Sequence, residues 1–244
     1  LDLDPDTHLL QPVGVFPPEA KSALLETASR LTYPLRIVGV CERFLEENLD
    51  FVRAFTVNED QAASNYLYRA KDLAKLSGRK YAKKRNLISQ AKSQYKWNAR
   101  LLTPDLTPLC FQVLDTIIEE EHPDVEGMLE RELAALERTL RNLEELEQQG
   151  LLIIVDDRPV AFSIFEAISP DTVAIHFERA LRACKGLYQI INWEAAKVIE
   201  ARGFGFINRE EDLGDAGLRD AKMSYHPVKI IPSYELVYKH RLAS

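Results

Sequence analysis

The chain is 244 residues and 27.8 kDa, 46% hydrophobic and 28% charged, a balance that excludes a disordered, collagen-like or small disulfide-stapled protein and allows one large domain or two small ones. Thirty-one Lys and Arg against 38 Asp and Glu leave a net charge of -7, so bulk charge does not make it a nucleic-acid binder and any polyanion must meet a local patch. The three cysteines, Cys41, Cys110 and Cys184, are odd in number and far apart, which supports neither a disulfide framework nor a metal site and points to a reducing, cytoplasmic setting.

In chain order, His8 to Phe16 reads as a strand ending at Pro17-Pro18, and Pro18 suits the first turn of a helix from about Glu19 to Leu31. Leu35 to Val40 is a β-branched strand, Glu42 to Leu49 a short helix, and Val52 to Val57 another strand. Tyr66, Tyr68 and Ala70 alternate with polar residues up to a helix capped by Asp72, which carries on, with Gly78 as a candidate break, to about Tyr95. From Asp105 the pattern is helical for about 40 residues, with a break near His122-Pro123 and a stop at Gly150. Leu151 to Val155 and Val160 to Ile168 form a hairpin about Asp156-Asp157-Arg158-Pro159, followed by a strand from Thr172 to Phe177. A helix from about Leu187 to Ala201 ends at Gly203; Phe204 to Asn208 is a strand, Gly217 to Tyr225 a helix, and Val228 to Tyr238 closes the chain with one or two strands. This order predicts an α+β fold with antiparallel-rich mixed sheets rather than a doubly wound parallel sheet. No apolar run reaches the ~18 to 20 residues that span a bilayer. The first residue is Leu1 rather than Met, which suggests a fragment of a longer protein.

Three constellations carry chemistry. Arg69 to Arg100 holds eleven basic residues against Asp72 alone, with Tyr81, Tyr95 and Trp97 interleaved; cations beside flat rings suit an RNA-like polyanion or an anionic lipid surface. The competing reading is a solvated helix face balanced by Glu119 to Glu147, which holds eleven acids against Arg131, Arg138 and Arg141. The second constellation is His176, Glu178 and Arg179 at a strand end, then Gly186, Tyr188, Gln189 and Asn192 where a loop opens a helix, a backbone N–H nest suited to phosphate. The third is Asn208, Arg209, Glu210, Glu211 and Asp212, continuing to Lys222 and Tyr225. A strand running into four consecutive ionisable residues either holds a ligand or forms an ion-pair network that fixes the loop.

The segments KLSGRKYAKKRN, VAIHFERA, GLYQIINWEAA and INREEDLGDAGLRDAKMSYHPVKIIPSYEL resemble the C-terminal catalytic module of bacterial phosphatidylglycerol lysyltransferases. The likeness is spread from about Tyr66 to Tyr238. It implies a tandem pair of GNAT-type folds like the Fem-type peptidoglycan transferases, with halves at 1–104 and 105–244. In the lysyltransferases such a module moves an aminoacyl group from charged tRNA to a lipid head group. The resemblance carries Lys84, Arg85 and Asn86 into the first motif, His176, Glu178 and Arg179 into the strand motif and Asn208 to Asp212 into the third; with the constellations above, the substrate-binding candidates are Lys84, Arg85, Asn86, Gly186, Tyr188, Gln189, Asn192, Asn208, Arg209, Glu211, Lys222 and Tyr225. The catalytic candidates are His176, Glu178, Arg179 and Glu210: Glu178 or Glu210 as base, His176 as base or orienter, and Arg179, Arg209 or Lys222 as electrostatic stabiliser.

An aminoacyl ester is already activated, so an enzyme need only position the acceptor, remove its proton and stabilise the oxyanion. The expected reaction is therefore acyl transfer, from aminoacyl-tRNA to an amine or hydroxyl, with no permanently bound cofactor. The alternatives are an acyl-CoA donor with its pyrophosphate on the Gly186 to Tyr188 loop, although Arg182 to Leu187 supplies one glycine where the CoA-binding pattern has two, and a non-catalytic module binding tRNA or anionic lipid. The strand ends at His176 to Arg179 and Asn208 to Glu211 are expected to converge on one cleft where two neighbouring strands splay.

Overall fold

The computed structural model describes residues 8–121 and 128–239; the break expected near His122-Pro123 lies outside them. The elements are β1 (Leu9–Leu10), α1 (Pro18–Arg30), β2 (Arg36–Val40), α2 (Glu42–Glu47), α3 (Leu49–Val52), β3 (Phe55–Arg69), α4 (Ala70–Lys75), α5 (Ala82–Gln94), β4 (Trp97–Leu101) and α6 (Thr107–Glu121). They continue as α7 (Met128–Arg141), β5 (Gln149–Val155), β6 (Arg158–Ala167), β7 (Thr172–Ala180), α8 (Leu187–Ala201), β8 (Phe206–Asn208), α9 (Ala216–Met223) and β9 (Lys229–Tyr238). The fold is mixed α+β, as the sequence predicts.

Four local expectations are corrected. The strand expected over His8 to Phe16 shrinks to Leu9–Leu10, and Val13 and Val15 beyond it are almost fully exposed. Val52 closes α3, and the strand that follows runs unbroken for 15 residues, Phe55–Arg69; the polar run Asn58 to Gln61 hides that continuity from a hydrophobicity reading. Asp72 lies within α4, whose N-cap is the extended Arg69. Trp97–Leu101 is a strand inside the basic stretch, pairing antiparallel with Leu151 to Val155; its alternation is masked because the outward residues are Asn98 and Arg100.

Two compact units share the chain: 1–65, 211–220 and 230–244 form one, and 66–210 with 221–229 form the other. In the first, β1 pairs parallel with β2, and β2 antiparallel with β9. Its core gathers Ile37, Val40, Phe44, Phe51, Phe55 and Leu236, with Phe16 edge-on to Phe51 at 5.0 Å.

The second unit orders its strands β3-β8-β7-β6-β5-β4. All neighbours are antiparallel except β7 and β8. The β5–β6 hairpin turns on Asp156 and Asp157, both with positive φ (48° and 62°), the backbone of a two-residue turn whose twist matches its strands. One face of this sheet, carrying Ile153, Ala161, Phe165, Val173, Ile175 and Ala180, packs with Leu73 of α4, Ile88 of α5 and Leu187, Ile190 and Ile191 of α8. The other, carrying Leu152, Phe162, Ile164 and Phe177, packs with Cys110, Val113 and Leu114 of α6 and Leu136 and Leu140 of α7. These helices are thus held by their apolar stripes, with Glu119, Glu137 and Arg138 exposed on the remaining faces.

Candidate functional site

The second unit builds its polar centre where β7 and β8 part. Their parallel pairing covers Thr172–Phe206, Val173–Ile207 and Ala174–Asn208 and then ends, while β7 runs on alone beside β6 to Ala180. Beyond β8 the backbone of Arg209 donates to Tyr66 O (2.9 Å) and Glu210 O accepts from Tyr66 N (3.2 Å). Asn208 Oδ1 accepts from the Glu210 amide at 2.8 Å, and Glu210 sits at φ 55°, a left-handed conformation uncommon for a side chain of this size.

A β-bulge divides this centre in two. The β6–β7 register runs Ser163–Glu178 and Ile164–Phe177, then Phe165–Ile175, which leaves His176 as the extra residue. Alternation resets there: Ile175 and Ala180 lie in the core facing α8, whereas Phe177 lies in the core facing α6 and α7. Glu178 consequently shares the side of Ser163 and Phe165, and His176 the side of Ile164 and Glu166.

On the α8 side, Glu178 is the hub. Arg209 Nη2 donates to its Oε1 at 2.9 Å, with side-chain exposures of 14% and 10%, and Asn192 Nδ2 donates to its Oε2 at 3.4 Å. Burial works to lower the Arg209 pKa, but the Glu178 carboxylate prevails and holds it above the ordinary guanidinium value. Arg209 lies 5.2 Å from the Tyr225 ring, over which Lys84 Nζ sits at 4.0 Å while donating to Ser224 Oγ at 2.6 Å. Burial first, then the Arg209 charge, brings the Lys84 ammonium down to about 8. Burial also raises the Tyr68 and Tyr225 phenols well above their usual range, and Tyr81 to about 12. Lys222, itself buried, donates from Nζ to Arg209 O at 2.5 Å, while Lys222 O accepts from the Tyr68 hydroxyl at 2.8 Å. Ser163 Oγ and Asn192 Oδ1 are buried beside Glu178 and make no hydrogen bond within the described chain, the kind of orphaned polar atom that calls for an explanation.

On the other side His176 stands between two carboxylates. Its Nδ1 is 2.6 Å from Glu210 Oε1 and its Nε2 is 3.1 Å from Glu166 Oε1; the second is an ion-pair contact rather than a directed hydrogen bond. Gln148 Nε2 donates to the other Glu166 oxygen at 2.7 Å. The Glu210 hydrogen bond, opposed by burial and helped by both carboxylate charges, raises the His176 pKa.

The structure therefore brings Lys84, Glu178, Asn192, Arg209, Lys222 and Tyr225 together on one side and His176 with Glu210 on the other. The rest of the predicted set is elsewhere. Arg179 pairs with Glu132 of α7. Arg85 Nη1 donates to Leu76 O (2.5 Å) and Gly78 O (2.7 Å), tying down the turn after α4, and Asn86 is exposed. Gly186 is the left-handed N-cap of α8, where a Cβ would come within 3.1 Å of Leu87 O and 3.3 Å of the Ala91 Cβ; it is required by the close approach of α5. Tyr188 is exposed on the first turn of α8, and the Gln189 amide bonds Gly186 O at 3.1 Å. Glu211 belongs to the first unit, as do Asp212 and Arg219, whose carboxylate and guanidinium meet at 2.7 Å. Sequence reasoning missed Gln148, Ser163 and Glu166. A lone hydroxyl in the apolar run Val160 to Phe165 is the one signal that marks Ser163.

Residues 3–237 match the family described as the C-terminal region of phosphatidylglycerol lysyltransferase. The chain belongs to this family. A conserved protein of unknown function from Bacteroides thetaiotaomicron is 32% identical, with a TM-score of 0.84 over 94% of this chain and 78% of that one. The C-terminal domain of a putative lysylphosphatidylglycerol synthetase from Agrobacterium fabrum is 15% identical, with a TM-score of 0.67 over 91% of this chain and 72% of that one. FemX is 9% identical at a TM-score of 0.56, over 90% and 76% of the two chains, so the fold of the family member is also Fem-like. An uncharacterised protein of Mycoplasmoides gallisepticum is 26% identical over 181 residues; the match spans 71% of this chain and 56% of that protein. No helix among the described residues is long and apolar enough to cross a membrane.

Proposed function

We propose that this lysyltransferase-family chain is an acyl-group transferase that moves an aminoacyl group from charged tRNA to an amine or hydroxyl acceptor, a lipid head group or a small molecule. Family membership over residues 3–237 supports the reaction class, and the observation that carries the site assignment is the buried Glu178–Arg209 pair. Its carboxylate can hold the acceptor and take its proton, and its guanidinium can face the negative charge that develops on the carbonyl oxygen. Glu178 takes the acceptor's proton as the new bond to the carbonyl carbon forms and gives it to the tRNA ribose oxygen as the ester bond breaks, while Arg209 stabilises the oxyanion between the two steps. Asn192 and Ser163 orient the carboxylate and the acceptor beside it. His176, whose pKa the Glu210 hydrogen bond and the two carboxylate charges raise, stands between Glu210 and Glu166 and positions both carboxylates.

The aminoacyl-tRNA donor is favoured over acyl-CoA because Gly186, the one glycine available to a pyrophosphate loop, already serves the packing of α8 on α5. The test is transfer of labelled amino acid from charged tRNA to candidate acceptors. Glu178→Gln should abolish transfer in the folded protein, and Arg179→Gln, which alters the pair with Glu132, should leave it. Normal turnover by folded Glu178→Gln refutes the assignment; tRNA binding without turnover by the parent protein favours the binding-only module.

A further inference from the structure

The basic stretch Arg69 to Arg100 is not used up by the site above, and among the described residues its only ion pair is the one between Lys80 and Asp72, within the stretch itself. Among the described residues, Lys80 pairs with Asp72 at 3.8 Å, Lys84 with Ser224, and Arg85 with backbone carbonyls. On its surface lies a cavity of about 230 Å³ lined by Lys75, Leu76, Arg85, Ile88, Ser89, Lys92 and Trp193. The four α5 residues, 85, 88, 89 and 92, fall on one helical face. Lys75 closes the cavity from the end of α4, and Trp193 closes it from α8.

Three features make this a built site. Lys75, Arg85 and Lys92 have no carboxylate partner among the described residues, whereas Lys197 nearby is paired with Glu194. The indole of Trp193 is fixed, its Nε1 donating to Ala74 O at 2.7 Å, and it carries Lys92 Nζ at 4.6 Å from the ring centre. Arg85 spends only Nη1 on the Leu76 and Gly78 carbonyls, which leaves Nε and Nη2 for an anion and holds the guanidinium in place. A cavity this small is below the ~300 Å³ at which drug-sized ligands begin, so it accommodates a phosphate with part of its sugar rather than a whole nucleotide.

We propose that this cavity is a phosphodiester site for RNA, one seat for the tRNA backbone. The inference rests on the aminoacyl-tRNA reading of the function and gives it a place on the molecule. The basic stretch favours RNA over a lipid surface: none of the large apolar side chains exposed among the described residues lies in sequence between Val57 and Leu101, so the stretch itself presents cations rather than the apolar stripe of a membrane-surface helix. Phosphate contacts by lysine and arginine release counterions, so binding weakens as salt rises, by a slope of about 0.7 to 0.9 per contact.

The experiment measures binding of unacylated bulk tRNA, and of phosphatidylglycerol vesicles, to the intact chain across sodium chloride concentrations. Lys75→Gln with Lys92→Gln should lower tRNA affinity about tenfold and flatten the salt slope by about one to two, against a change within about twofold for the equally charge-reduced control Lys83→Gln with Lys96→Gln. Equal losses in both would overturn the cavity in favour of diffuse charge. Loss of vesicle binding alone would overturn RNA in favour of lipid. A readout without lysine variants is Trp193 emission in a Trp97→Phe background, which should change on saturation with tRNA; unchanged emission overturns the site. The two readings separate cleanly. Cavity-dependent tRNA binding without aminoacyl transfer leaves this site standing and removes the tRNA donor, whereas transfer indifferent to the cavity variants removes the site alone. A parent protein that binds no tRNA overturns both.

Discussion

Glu178→Gln tests whether the Glu178–Arg209 pair is a balanced buried ion pair. At 2.9 Å the gross attraction is about 6 kcal/mol for an effective dielectric constant of about 20. Desolvation consumes most of it, so the pair is worth little against apolar residues of the same shape, yet removing one partner leaves the other charge uncompensated at about 3–5 kcal/mol. Glutamine keeps an oxygen for the Arg209 guanidinium, which places this variant at the low end, about 3 kcal/mol. For a chain of this size that lowers Tm by about 6–12 °C, within a total stability of about 5–15 kcal/mol, so the variant stays folded at room temperature. Calorimetry and urea unfolding of Glu178→Gln, Arg209→Met and the double variant Glu178→Leu with Arg209→Met close the cycle. The double should recover at least half of the summed single losses. A Glu178→Gln Tm within 2 °C of the parent, or losses that simply add, would mean that water and not Glu178 compensates Arg209, and the electrostatic argument for the site would fail.

Gly186→Ala should cost about 1–3 kcal/mol in urea unfolding, because φ is +91° and the new Cβ meets Leu87 O at 3.1 Å; a change under about 0.5 kcal/mol would show that α5 moves aside freely. His176 has a folded pKa raised above 6.5, so its contribution to stability is complete below about pH 6.5 and is lost as pH rises through the higher folded value. The Tm difference between the parent and His176→Gln should therefore be largest in mild acid and shrink toward alkaline pH; a difference that grows with pH would reverse the assignment of its charge.

The sequence by itself determined the family and the type of elements whose local pattern is strong. Leu187 to Ala201 is a helix as read, the Asp156-Asp157 hairpin is as read, and long motifs such as INREEDLGDAGLRDAKMSYHPVKIIPSYEL carry the family resemblance. Periodicity, turn chemistry and motif order are local properties, so they survive in a linear reading. The sequence also marked which ionisable residues follow the strand ends, and the structure does join Glu178 to Arg209 and His176 to Glu210.

Only the tertiary structure decided how those residues are divided. His176 and Glu178 are two apart and on an unbroken strand would share a face; the bulge inserts one residue and sends them to opposite sides. No composition or spacing encodes that insertion, because it is fixed by the register between β6 and β7. Arg179 is turned to Glu132 by the same geometry, and Arg85 is claimed by carbonyls that a turn delivers. The Lys75, Arg85 and Lys92 cavity is likewise invisible along the chain, since its wall comes from Trp193, more than a hundred residues beyond Lys75. Charge density was legible in the sequence; the pairing of each charge, which sets what it can bind, depended on long-range packing.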